Sequence, residues 1–115
     1  LVRLPYHLSS LTQAASIAAI RNSDLMLSNV KEISKERERV ARGLSSLGLK
    51  VLPSESNFLL VEGFTEPRAV FDYLLQNGLI IRKTTIAGAL RITIGTPLEN
   101  DKLLELMPKA LQSLD

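Results

Sequence analysis

Gly48 separates two regimes of hydrophobic spacing, and no other feature narrows the possible folds of this chain so far. Between Leu25 and Leu47 the residues Met26, Val30, Ile33, Val40, Leu44 and Leu47 recur at helical intervals, whereas beyond Gly48 the apolar residues gather into short runs bounded by turn formers. The first pattern belongs to a long amphipathic helix and the second to strands, whose side chains alternate between two faces. A glycine at the junction suits the left-handed residue with which helices commonly end.

On the N-terminal side, Leu4-Pro5-Tyr6 reads as an extended entry, because proline biases its predecessor away from helix. Ser10-Leu11-Thr12-Gln13 fits a capping box, and Ala14, Ala15, Ile17, Ala18, Ala19 and Ile20 carry a short, closely packed helix over residues 10–21. Asn22-Ser23-Asp24 interrupts the pattern and offers fresh N-caps to the long helix over residues 25–47. Arg37 falls on the apolar stripe of that helix, where an unpaired charge is expensive to bury. Its stem is therefore expected to snorkel and its guanidinium to reach Glu36, Glu38 or a neighbouring domain. The polar face from Lys31 to Arg42 alternates in sign and reads as solvated surface.

Past Gly48, residues 49–52 and 57–61 are expected as strands around a turn at Pro53 to Ser56. Thr65-Glu66-Pro67 starts a helix whose Val70, Phe71, Leu74 and Leu75 face the sheet and which stops at Asn77-Gly78. Leu79 to Arg82 and Leu90 to Ile94 are the next strands, joined by a connection containing Gly88. The last helix has Thr96 as N-cap, Pro97 at its first position and Glu99 closing a capping box, with Asp101 favourable near the positive end of the dipole. Leu103, Met107, Ala110, Leu111 and Leu114 make its buried stripe, and Pro108 is expected to kink or break it. The order α-α-β-β-α-β-β-α points to an α+β fold, a two-layer sandwich with helices packed on a small mixed or antiparallel sheet. The other face of that sheet is left wet or covered by another body.

A length of 115 residues is one domain by size. With no cysteine, disulfides, thiolate catalysis and cysteine-ligated metals are excluded, and a single histidine argues against a metal site, so no metal is expected. No apolar run approaches a membrane span and no signal peptide is readable, which makes the cytoplasm the expected location. A net charge of +2, interspersed signs and no tryptophan argue against nucleic acid as a partner. Leu1 stands where an initiator methionine would, which suggests a fragment.

No phosphate-cradling glycine loop, nucleophile elbow or catalytic triad is present, and none of the lysines sits in a pattern apolar enough for a Schiff base. The residues that do carry chemistry are Arg91 and Arg82. Alternation sends Leu90, Ile92 and Ile94 to one face and Arg91 with Thr93 to the other. If their strands are neighbours, Arg82 and Arg91 share a face and form a double clamp for a carboxylate or phosphate, with Asn57 beside them. Tyr6 and His7 are further candidates for ligand contact, although a lone loop histidine is more often plain surface and Tyr6 more often packs.

The run Val2-Arg3-Leu4-Pro5-Tyr6-His7-Leu8-Ser9-Ser10, continued by Thr12-Gln13-Ala14-Ala15, resembles the segment that opens the C-terminal small domain of the histidinol-phosphate aminotransferases. Further landmarks follow in the same order: Glu36 to Arg39, Pro53-Ser54 before Asn57-Phe58, Gly78 to Arg82, Gly88, and Leu90 to Pro97 with Glu99-Asn100-Asp101. Each is weak alone, but the ordered set spans nearly the whole chain.

The resemblance implies a fold-type-I, pyridoxal-phosphate-dependent aminotransferase of histidine biosynthesis. Such enzymes exchange an amino group between histidinol phosphate and 2-oxoglutarate, giving imidazole-acetol phosphate and glutamate, and the parent is expected to be a homodimer. Arg91 matches the family's substrate-anion arginine, and Arg82 a second arginine near the same anion. The resemblance also implies that the cofactor-binding large domain, with its Schiff-base lysine, lies outside these residues. Pyridoxal phosphate is then expected in the parent and not in this fragment, which alone is expected to be inactive. Lys83 stands where relatives often place an acid, which leaves the orientation of Arg82 open. Two other readings stand beside this one: another fold-type-I enzyme such as threonine-phosphate decarboxylase, and a stand-alone module that senses an anionic metabolite.

Overall fold

Four helices and four strands follow one another in the expected order in the computed structural model, which describes residues 8–112. They are α1 (Ser10–Arg21), α2 (Ser23–Ser46), β1 (Lys50–Val51), β2 (Phe58–Glu62), α3 (Pro67–Gln76), β3 (Arg82–Lys83), β4 (Ala89–Thr93) and α4 (Pro97–Gln112). The chain divides into two compact units, Leu1–Lys31 and Glu32–Asp115, with the boundary inside α2.

In the first unit, α1 buries none of its residues. Its cap is Ser9 and not Ser10: the Ser9 Oγ accepts from the Thr12 amide at 3.1 Å, and the Gln13 side chain donates to the Leu8 carbonyl at 3.0 Å. Either serine of the doublet can cap, and the choice of Ser9 lets α1 begin one residue later than its cap. Leu11 and Ile20 are 79% and 72% exposed, and Leu25, Met26, Leu27 and Val30 are exposed as well. The stripe read along the long helix is thus buried only from its middle onward.

In the second unit the sheet order is β1-β2-β4-β3, and every pairing is antiparallel. Leu59 and Val61 of β2 with Leu90 and Ile92 of β4 turn to one face. There they join Val40 and Leu44 of α2, Val70 and Leu74 of α3, and Leu103, Met107 and Ala110 of α4 in one buried cluster. Burial of that apolar area is the main stabilising term of the unit. Leu75 lies outside it, 45% exposed, and Tyr73 and Phe71 pack at its margin. The α+β two-layer arrangement expected from the sequence is therefore present, with an antiparallel sheet.

Local signals govern the ends of the elements. Gly48 ends α2 at φ +83°, a backbone conformation in which a Cβ would be strained. At α4 the Glu99 carboxylate accepts from both the amide and the hydroxyl of Thr96, each at 2.8 Å, closing the capping box. The helix then runs through Pro108 to Gln112 without breaking. Leu114, placed on its stripe, lies outside the described residues.

Three expectations are corrected by tertiary contacts. Arg37 is buried, but its guanidinium goes to neither Glu36 nor Glu38: it donates to the Ser56 carbonyl at 3.0 Å and to Glu55 at 2.8 Å, pinning the turn before β2. The charged face of α2 is not wholly solvated, because Glu36 is buried and held by Arg39 and Asn100. Of the apolar run at residues 79–82, only Arg82 enters the sheet. The Leu79 amide instead caps α3 by donating to the Leu74 carbonyl at 2.9 Å, which diverts the run from β4.

Candidate functional site

The helices α3, α4 and the C-terminal part of α2 occupy one side of the sheet, so the side chains that alternation sends the other way form a second face. Phe58, Leu60 and Glu62 of β2, Arg91 and Thr93 of β4, Arg82 of β3 and Lys50 of β1 stand on it by register. Arg82 is the direct cross-strand partner of Arg91. Directly opposed residues on one face have their Cβ atoms about 5 Å apart, so the two cations are brought together as a pair.

Their surroundings leave both charges uncompensated. The Glu62 carboxylate on the same face is engaged by Lys50, Nζ to Oε2 at 2.8 Å. Among the described residues, neither Arg82 nor Arg91 makes an ion pair. Arg91 is half-buried, its Cζ lies 4.9 Å from the centroid of the Phe58 ring, and its Nε is buried without a hydrogen-bond partner. Buried donors are nearly always satisfied, so the unpartnered Nε marks Arg91 as a guanidinium whose hydrogen bonding is incomplete among the described residues. Like charges set opposite each other are destabilising in a sheet, and an anion between them relieves that repulsion.

Lys83 resolves the orientation left open by its sequence neighbourhood. Opposed to Leu90, it turns to the helix-facing side, where its Nζ lies 4.7 Å from the Phe71 centroid, while Arg82 turns to the side of Arg91.

Asn57 does not join the arginines. It lies exposed in the bend before β2, where its carbonyl accepts from the Ile94 amide at 2.9 Å and its Oδ1 accepts from the Ser56 hydroxyl at 3.3 Å. Tyr6 and His7 lie outside the described residues. Phe58 was visible in sequence only as a strand residue. Its position diagonal to Arg91 depends on the β2–β4 register, which periodicity within one strand does not reveal.

The strand carrying Arg91 is anchored at its exit by Asn100, which is buried. The Asn100 side chain accepts from the Gly95 amide at 3.0 Å, donates to the Gly95 carbonyl at 3.0 Å and donates to Glu36 at 2.8 Å. Glu36 in turn accepts two bonds from Arg39, whose other terminal nitrogen reaches Asp101 at 2.7 Å. The Arg39 hydrogen bond, followed by that from Asn100, holds the Glu36 carboxyl below the ordinary carboxylate range. This network fixes where β4 ends and α4 begins.

The described residues offer no activated amine. Every lysine among them is exposed, Lys50 and Lys109 are in ion pairs and Lys83 lies over Phe71, so none has the desolvated surroundings that activate an amine. No cluster of metal-ligating side chains occurs among the described residues, and none of the described helices is long and apolar enough to cross a membrane. What the face offers is two opposed arginines without an ion-pair partner among the described residues.

The family model for aminotransferase class I and II matches residues 1–107. A histidinol-phosphate aminotransferase of Mycobacterium sp. (strain KMS) is 49% identical over 113 residues, which is 98% of this chain and 30% of that protein. The enzyme of the same name from Corynebacterium glutamicum (strain R) is 51% identical over 105 residues, 91% of this chain and 29% of that protein. Among solved structures, histidinol-phosphate aminotransferase from Sinorhizobium meliloti in complex with pyridoxal-5'-phosphate superposes with a TM-score of 0.83 at 30% identity, covering 99% of this chain and 33% of that one. The chain thus spans about 30% of the length of the curated relatives it matches.

Proposed function

This chain belongs to the class I and II aminotransferase family, and on that premise we propose that it is the C-terminal, substrate-binding part of a pyridoxal-phosphate-dependent histidinol-phosphate aminotransferase. The parent enzyme exchanges an amino group between histidinol phosphate and 2-oxoglutarate, as a cytoplasmic homodimer, with the cofactor held by sequence outside these residues. The observation that carries the reading is the opposed pair Arg82 and Arg91 on the face of the sheet away from α3 and α4, where neither makes an ion pair among the described residues.

Arg91 and Arg82 have one task in this reaction. They grip the anionic end of the substrate, the phosphate of histidinol phosphate in one half-reaction and a carboxylate of glutamate or 2-oxoglutarate in the other. A planar guanidinium serves both, since it donates two parallel hydrogen bonds to either group. No residue described here moves a proton. The contribution of these residues is binding and orientation, which place the reacting amine against the cofactor.

The reading is tested in the full-length enzyme with Arg91→Ala and Arg91→Lys. Charge-assisted hydrogen bonds contribute roughly 1.5–3 kcal/mol each, so loss of the guanidinium should raise KM for histidinol phosphate by on the order of a hundredfold. Lysine, a point charge without the fork, should recover only part of that loss. Unchanged KM in both variants would overturn the proposal.

A further inference from the structure

We infer that Phe58 is a positioning residue for substrate-anion binding: its ring holds the Arg91 guanidinium in place without neutralising it. The inference rests on the reading of Arg91 as the anion-binding residue. A half-buried arginine in a sheet is usually fixed by a carboxylate, and such a partner fills the donors and cancels the charge that an incoming anion needs. Here the acid on that face, Glu62, is taken by Lys50. What stands against Arg91 is an aromatic face, with Cζ 4.9 Å from the Phe58 centroid. Phe58 opposes Thr93 and Leu60 opposes Arg91, which puts the ring diagonal to the arginine and within the reach of a long side chain. A cation–π contact attracts the guanidinium through the ring quadrupole and uses none of its N–H groups. The buried, unpartnered Nε fits this arrangement: the guanidinium is held by contact with the ring and not by a hydrogen bond to a carboxylate. The second contact of the same kind, Lys83 over Phe71, lies on the opposite face, so the ring under Arg91 serves the anion face alone.

The test uses Phe58→Leu and Phe58→Tyr in the full-length enzyme, with Arg91→Ala as reference. A contact of this strength corresponds to roughly a three- to thirtyfold effect on affinity. Phe58→Leu should therefore raise KM for histidinol phosphate by about tenfold while kcat changes little, and Phe58→Tyr, which restores the ring, should return KM to the parent value. A second readout is independent of turnover: the Arg91 Nε–H resonance should be displaced upfield by the ring in the parent and the tyrosine variant, and its response to inorganic phosphate should weaken in the leucine variant. If Arg91→Ala raises KM and Phe58→Leu does not, or if tyrosine is as poor as leucine, the role assigned to Phe58 is wrong and the anion-binding role of Arg91 stands. If Arg91→Ala itself leaves KM unchanged, both fall.

Discussion

Replacing Asn100 by alanine should remove about 3 kcal/mol of stability, because a single buried amide ties three separate parts of the second unit together. Its side chain closes two hydrogen bonds with the backbone of Gly95 and donates a third to the buried Glu36 carboxylate. Neutral hydrogen bonds contribute roughly 1 kcal/mol net and those to a charge roughly 1.5–3 kcal/mol, which sums to about 3.5–5 kcal/mol. Glu36 keeps its two bonds from Arg39, and Gly95 is only half-buried, so water recovers a part of the loss. In urea denaturation the midpoint should fall with little change in slope. In a thermal scan the loss should appear as a drop of roughly 12–24 °C for a unit of this size. Asn100→Asp should be worse than alanine despite its shape, because it sets a second carboxylate against Glu36 and removes the donor. A cost below about 1 kcal/mol for Asn100→Ala, or an aspartate variant more stable than the alanine one, would refute the assignment of these three bonds as the anchor of β4 on α4.

The same network dictates a pH dependence. The native carboxyl of Glu36 lies below its ordinary value of 4.5, so its contribution is complete above that value and disappears as pH falls through the native one. Denaturation midpoints measured from neutral to acid pH should show this loss, and Glu36→Gln should flatten it. Arg37→Met keeps the apolar stem but gives up the bonds to the Ser56 carbonyl and Glu55, and should cost about 1–3 kcal/mol by the same assay. Gly88→Ala should lower the melting temperature, since the glycine has φ +68° and an added Cβ would stand 3.2 Å from the Phe64 carbonyl oxygen.

What could be read from sequence follows the range of the interaction. The start of α4 was legible in full, because Thr96, Pro97 and Glu99 satisfy one another within a single turn. The alternation of Arg91 against Leu90 and Ile92 was equally local. The partner of Arg37 was not legible, since Ser56 is 19 residues away and in a turn that has no periodicity. The bond from Asn100 to Glu36 spans 64 residues, and the sequence offered only an amide and an acid on two helices. Asn57 was not legible either: it falls in the bend before β2, where strand alternation no longer assigns a face. The arginine pair was visible as a conditional, two cations on consecutive strands. Only the pairing of Arg82 with Arg91 supplies the condition.

The adjacency of Arg82 and Lys83 makes the loop over residues 84–88 a gauge of length. The two cations leave β3 in opposite directions, one towards Arg91 and the other over Phe71. A one-residue slip of a strand exchanges its faces. A single insertion or deletion that the loop failed to absorb would send the lysine to the side of Arg91 and the arginine to the helix-facing side. Insertion of an uncharged residue would leave the net charge unchanged, and the opposed pair of guanidiniums would be gone. Homologues that vary this loop should therefore do so in ways that leave the parity of β3 unchanged, a constraint that acts on the number of loop residues and not on their chemistry.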